Sequence, residues 1–428
     1  MQAEVVTNNF TNQHSVFAPG PDAYPWGYPL LLLPAYSAVG NHPLAFKTLN
    51  LLFLGIGLFF FSLMVRKRTD SWFSWVVVGS FSFLPAILIQ NDTISSDICF
   101  FGLVLCVFFL FESDQPVSYK NSFFIGTLIF IATFIRTVGV VLFVPYILLV
   151  VTNWKIQKDK WSLFAVPLAF ISLFTLQALV LPQGSTSYFG HFELFSPQRL
   201  LENFVYYLSL PLAAFDQIPL AWFWFGLIVV CFLVGIATTW KNEKIILSFM
   251  LALLSVYIVW PERQGLRFIL PILPLLWIFA LRGINWIKER LLPIYFNIVI
   301  AFFTLLCIIG FSMSLTAAVH NINNGRSING PYDDVSQELF RQVKETTQTS
   351  DIFVFFKPRA FRLFTERVAF AASNCADLTQ ANYVVISLKQ ESVLQPSEQS
   401  LASCAPTQSF KEVFRNKRFI MLRRAVLP

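Results

Sequence analysis

The residues best suited to chemistry in this chain are a few cations and carboxylates set among apolar stretches. Arg136 interrupts a long apolar run, FFIGTLIFIATFIRTVGVVLFVPYILLVV. A guanidinium in such surroundings is costly unless it meets water, an anion or a polar cavity. A lipid phosphate would satisfy it, and so would snorkelling from a turn between two short helices. WPERQGLRF (260–268) gathers Glu262, Arg263 and Arg267. Two arginines there suit a phosphate, because the guanidinium fork matches its oxygens; a locally paired Glu–Arg turn is the other reading. NDTISSD (91–97) carries Asp92 and Asp97, which could serve as bases or bind a substrate. Asn91, Asp92 and Ser95 are also good helix caps. PDAYPWGYPLLLLP (21–34) holds Asp22 and a stiff aromatic turn of Tyr24, Trp26 and Tyr28 between prolines. Those rings could stack on a sugar, seat a lipid chain or anchor the segment at an interface.

The elements that must position these residues are membrane helices. Of the 428 residues, 56% are hydrophobic and only 13% charged, too few charges to cover a water-facing surface. Apolar runs of span length recur at 43–64, 72–89, 98–112, 121–135, 137–152, 161–181, 219–239, 245–260, 268–281 and 293–313, which predicts an all-α polytopic domain of about ten spans. Residues 28–39 are apolar but short, and read as an interfacial or re-entrant helix within an N-terminal segment 1–42.

The loops carry a charge asymmetry. Twelve Lys and Arg, from Arg66 to Arg290, lie in one set of loops, against five in the other (Lys47, Arg136, Arg199, Arg263 and Arg267). The first set is therefore read as cytoplasmic. Both termini then fall outside, as does every polar feature named above. The net charge of +7 follows this loop pattern and forms no basic stripe, so no nucleic-acid partner is expected. MQAEVVTNNF at the start shows no cleavable signal. His14, His42, His191 and His320 match no metal-ligand spacing, and no metal site is expected.

Residues 314–428 read as a small extracytoplasmic α/β domain, after the transmembrane domain 43–313. Val335, Leu339 and Val343 recur at the helical period in DDVSQELFRQVKETT (333–347), and strand-like runs follow at 351–356, 383–388 and 419–424. Cys375 and Cys404 lie here; outside the cytoplasm they could form a disulfide or stay as two thiols.

Together the motifs resemble the lipid-phosphate-dependent glycosyltransferases of the GT-C superfamily, in the group of protein O-mannosyltransferases and bacterial aminoarabinose transferases. PWGYPLLLLP (25–34) is similar to that family's Pro-Pro-Gly-Tyr-Pro-Leu-Leu segment, with Trp26 in place of the second proline. NDTISSD matches its next outer loop, FIRTVGVVLFVPYILL (134–149) its Arg-Pro-rich hairpin, RFILPILPLLWIFAL (267–281) its Arg-Tyr-Leu-Leu-Pro span, and FFKPRAFRLFTER (355–367) its appended outer domain. The resemblance implies transfer of a sugar from a polyprenyl or dolichyl phosphate to an acceptor hydroxyl (of a lipid, glycan or protein) at the outer face of a bacterial inner membrane. Arg267, Arg263 and Arg136 would hold the phosphate. Asp92, Asp97 or Asp22 would be the base, and Tyr24, Trp26, Tyr28 and Glu262 would contact substrate or lipid. No cofactor is expected; the superfamily admits a divalent metal, but no ligand set is visible. The chain departs from the family at its start, where a first span and an acidic loop would precede the Pro-rich segment. A non-catalytic truncated homologue, an accessory subunit and a transporter are the alternatives.

Overall fold

The computed structural model describes residues 25–40, 42–112, 118–154, 159–181, 196–260, 263–290, 293–323, 330–371, 378, 380–388 and 410–424. The chain divides into two compact units, one covering Ala23–Val319, the other Met1–Asp22 with His320–Pro428.

The first unit is helical. Chain breakers set its limits. α1 (Gly27–Val39) and α2 (Pro43–Arg66) each have proline in or near the first turn, where the missing N–H costs no hydrogen bond. α3 (Ser71–Ser82) and α4 (Pro85–Asp92) form one path bent by 59° at Pro85. α5 (Ser96–Phe111) is apolar on every side and buried along most of its length, the pattern of a central helix. α6 (Tyr119–Ile135) stops at Arg136, whose backbone is extended, and the chain restarts as a 3-10 turn (Thr137–Leu142) leading into α7 (Phe143–Asn153). Next come α8 (Trp161–Val180), the amphipathic α9 (Pro197–Ser209), α10 (Ala221–Thr239), α11 (Lys244–Val259), the single turn α12 (Leu266–Ile269), α13 (Leu273–Arg290) and α14 (Pro293–Asn323).

Among the described residues four helices are long and apolar enough to cross a bilayer: α2, α8, α10 and the Phe296–His320 part of α14. The bent α3–α4 pair makes a fifth, and α1, α5, α6, Thr137–Asn153 and α11 are apolar but shorter. This is fewer span-length helices than the ten expected crossings. The shorter helices have local causes: Pro85 bends the 72–89 run, and the helix break at Arg136 leaves an apolar piece too short for a span on either side. The unit is a polytopic helical membrane domain. α10 crosses α13 closely, where a Cβ on Gly235 would overlap the Phe279 carbonyl and one on Gly283 would overlap that of Cys231; small residues permit such backbone approach in membranes.

The helices end in two polar clusters. At the end bearing the basic loops, the buried Arg68 donates from Nε to Glu243 Oε1 (3.0 Å) and from NH1 to Glu112 Oε2 (3.0 Å). Arg282 Nε donates to the same Glu243 oxygen at 2.7 Å, and Asn285 Nδ2 to the Arg68 carbonyl at 2.7 Å. This cluster ties α2, α5, α11 and α13 together. The other cluster, at the opposite helix ends, is the candidate site.

The second unit is a small α/β fold. α15 (Asp334–Thr346) is capped by Asp333, whose carboxylate accepts from Ser336 N at 2.6 Å. β1 (Ile352–Val354), α16 (Pro358–Thr365), β2 (Val368–Phe370), β3 (Tyr383–Ser387), β4 (Phe410–Arg415) and β5 (Phe419–Arg424) follow. The strand order is β2-β1-β3-β5-β4, with β2, β1 and β3 parallel and β5 and β4 antiparallel. Leu339, Val343 and Phe361 pack with Phe353, Val385 and Met421 in one apolar core. The helix and three strands expected from the sequence are present; α16, β2 and β4 are additions. Cys375 and Cys404 lie outside the described residues.

Candidate functional site

The site starts from Asp97 in the first turn of α5, where a carboxylate faces the positive end of the helix. Its side chain is 1% exposed. A buried carboxylate needs cationic partners, and two arginines provide them. Arg136, released from α6 by the helix break, turns its NH1 onto Asp97 Oδ1. Arg267, on α12, brings Nε to 3.3 Å from Asp97 Oδ2. Two like charges that would otherwise repel are thus drawn to one point.

Aromatic rings frame this point. The Arg136 guanidinium lies 5.7 Å from the Phe100 centroid and 5.2 Å from that of Phe268, within cation–π range. Tyr257 stacks on Phe268 at 4.4 Å. Arg136 is 12% exposed, but Arg267 is 44% exposed. One guanidinium is therefore set in the wall and the other is partly exposed to solvent. An arginine pair of this kind can receive a phosphate or carboxylate through charge-assisted hydrogen bonds.

A second polar chain runs beside it. Tyr28 donates to Asn50 Oδ1 at 3.0 Å, and Asn50 Nδ2 donates to the Thr93 carbonyl at 2.8 Å. The aromatic segment at the start of α1 is thereby joined to the link that leads into α5 and Asp97. Asp92, at the end of α4, pairs with Lys47 at 2.9 Å and is 51% exposed.

The residues singled out from the sequence divide as follows. Asp97, Arg136 and Arg267 come together, while Asp92 ends α4 and Tyr28 lies in the first turn of α1. Arg263 goes elsewhere, to Asn203 Oδ1 at 2.8 Å and Glu202 Oε2 at 3.1 Å on α9. Trp26 is buried, so its ring supports α1. Asp22, Tyr24 and Glu262 lie outside the described residues. Asn50 and Asn203 were missed; the signal for Asn50 was a lone amide in an apolar helix, and for Asn203 an amide on the buried side of an amphipathic one. Among the described residues no group of His, Cys, Asp and Glu could hold a metal ion.

No protein-family model matches the sequence, and no curated protein matches it significantly. Solved structures do match. ArnT from Cupriavidus metallidurans in the apo state aligns with TM-score 0.62 at 12% identity, covering 98% of this chain and 92% of that one. The same protein bound to undecaprenyl phosphate gives 0.59 at 12% identity, covering 93% and 87%. The archaeal oligosaccharyltransferase AglB from Archaeoglobus fulgidus, in complex with an inhibitory peptide and a dolichol-phosphate, gives 0.55 at 9% identity, covering 91% and 65%. At these identities the likeness is one of architecture alone: the chain shares its fold with ArnT and AglB.

Proposed function

We propose that the chain is a membrane glycosyltransferase that moves a sugar from a polyprenyl or dolichyl phosphate to an acceptor at the outer membrane face. The observation that carries the reading is the convergence of Arg136 and Arg267 on Asp97, with Arg267 half open beside it. A fold alone does not set an activity, so the weight rests on this geometry.

In the proposed reaction a carboxylate accepts the proton of the acceptor hydroxyl. The acceptor oxygen attacks the sugar's anomeric carbon, and the bond to the phosphate oxygen breaks. The electron pair leaves with the lipid phosphate, where Arg267, backed by Arg136, stabilises the developing charge. Asp97 holds the two arginines in place and is poorly suited to be the base, since both its oxygens face guanidinium groups. Asp92, the more exposed carboxylate, and Asp22 remain the proposed bases. The accompanying topology has ten crossings and both termini outside, following the loop charges.

One observation favours a second reading, a non-catalytic binder of the same lipid phosphate: Asp97 is committed to holding cations, not to proton transfer. The two readings separate in one experiment. The full chain, reconstituted in liposomes, is given a radiolabelled polyprenyl-phosphate sugar with total membrane lipid and glycan extract as acceptors. The enzyme reading expects label transfer, reduced about 10²-fold in Arg267→Ala. Tight lipid-phosphate binding with no transfer would leave only the binder, and neither would remove both.

A further inference from the structure

α9 is an amphipathic helix packed on α11, and its contacts give Arg263 a task of its own. Leu201, Phe204, Val205 and Leu208 face outward, exposed, while Asn203 and Tyr207 are buried beneath. Asn203 Nδ2 donates to the carbonyls of Ile258 (3.1 Å) and Trp260 (2.8 Å). Those lie at the end of α11, where carbonyls lack helical partners. The other face of the same amide, Asn203 Oδ1, accepts from Arg263 Nε, while Arg263 NH2 reaches Glu202 and the guanidinium lies 5.2 Å from the Tyr206 ring. Three groups of α9 thus grip one arginine. Gly265, at φ 68°, reverses the backbone after Arg263, and Arg267 follows on the next turn. A second connection is aromatic: Tyr207 stacks on Tyr257 at 5.9 Å, and Tyr257 on the Phe268 ring that lies under Arg136.

We infer that Arg263 is a positioning residue that fastens α9 to the 263–267 turn and so sets where Arg267 meets the lipid phosphate; it is not itself a phosphate ligand. The inference rests on the proposed anion site and deepens it. Its chemistry differs from that of a ligand in a way that can be measured. A phosphate ligand needs charge, which lysine keeps. A fastener needs the planar fork that reaches Asn203 and Glu202 together, which lysine lacks. Glu202 reverses sign between the two roles: beside a ligand it competes with phosphate, whereas beside a fastener it cooperates.

The test measures retention of radiolabelled undecaprenyl phosphate, and of undecaprenol as control, by the purified full chain in detergent. Arg263→Gln and Arg263→Lys are both expected to weaken phosphate-lipid binding by roughly tenfold, the scale on which outer partners tune a binding group. Glu202→Gln, an exposed pair member unable to unfold the chain, should weaken it about threefold. Undecaprenol retention should not move. Wild-type binding by Arg263→Lys alongside weak binding by Arg263→Gln would make Arg263 a charge ligand and overturn the inference, as would tighter binding by Glu202→Gln. A wild-type chain that does not distinguish undecaprenyl phosphate from undecaprenol would instead remove the anion site, and the inference with it.

Discussion

Asp97→Asn is the sharpest perturbation of the site, because the carboxylate is buried while its two partners are buried to different degrees. At a few ångströms and an effective dielectric near 20, a unit charge pair is worth about 4 kcal/mol. That applies to Asp97 with Arg136, which are 1% and 12% exposed. The pair with Arg267 is screened by solvent, Arg267 being 44% exposed, and adds about 1 kcal/mol at most. The substitution removes both attractions and leaves two guanidinium groups facing one another. A loss of about 3–5 kcal/mol follows, the usual cost of stripping one partner from a buried pair, and on the order of 5 °C in the melting temperature. An anion from outside would substitute for the missing carboxylate. Undecaprenyl phosphate should therefore raise the melting temperature of Asp97→Asn by more than it raises that of wild type. The double variant Asp97→Asn/Arg136→Gln should be more stable than Asp97→Asn alone, because the buried cation leaves with its counter-ion. Thermal unfolding of the purified chain in detergent, with and without the lipid, reads all three. Wild-type stability in Asp97→Asn, or a double variant at or below the single, would refute the electrostatic account.

The other predictions are these. Arg267→Ala should bind and transfer poorly, by about 10²-fold in rate, yet melt within a few degrees of wild type, since its side chain is half in solvent; a large fall in melting temperature would make it structural. Glu243→Gln should destabilise the opposite end. Burial raises the Glu243 carboxyl, but Arg68 and Arg282 outweigh it and hold the group below its ordinary value. Because the folded pKa is the lower one, its stabilisation is complete above the ordinary glutamate value of about 4.3 and is lost as the pH falls through the folded pKa. Melting temperature against pH should fall on the acid side less steeply in Glu243→Gln than in wild type. Gly283→Val should prevent the α10–α13 approach and lower the yield of folded chain, whereas the same change at Gly55, with open space around it, should be tolerated; size-exclusion profiles of the two would decide.

What the sequence made legible was the local chemistry of single residues, and what it hid was pairing over distance. Arg136 could be read as a helix break because it stands alone in apolar surroundings. Its partner could not, since Asp97 lies 39 residues away. Arg263 and Arg267, two cations four residues apart, both suit a phosphate by sequence, with Arg267 first. They diverge because Gly265 takes a positive φ between them, so that Arg263 precedes the turn and Arg267 rides on α12. Arg68 counted as a loop charge in the orientation reading, yet it is buried against Glu112 and Glu243, 44 and 175 residues along the chain. β2 was missed because three residues give no alternation to see. β4 was missed because FKEVFR, at the sheet edge, carries charges as edge strands do.

The two polar clusters use the same ingredients to opposite ends. At the basic-loop end Arg68 and Arg282 meet two glutamates, and the Arg68 and Glu243 side chains are almost wholly enclosed. That arrangement satisfies itself and offers little to a ligand; its effect is to lock α2, α5, α11 and α13. At the other end two arginines share Asp97, and one of them stays half open. Both ends bring a second, partly exposed arginine to one carboxylate, Arg282 to Glu243 and Arg267 to Asp97, but among the described residues two glutamates face the guanidinium groups at the basic-loop end and a single aspartate faces them at the other. An anion-binding site gains from that ratio, because the buried arginine keeps its field in a low-dielectric wall while the open one makes contact. The proportion of guanidinium to carboxylate groups among the described residues, more than the presence of arginine, is what distinguishes the site end of this helical domain from its structural end.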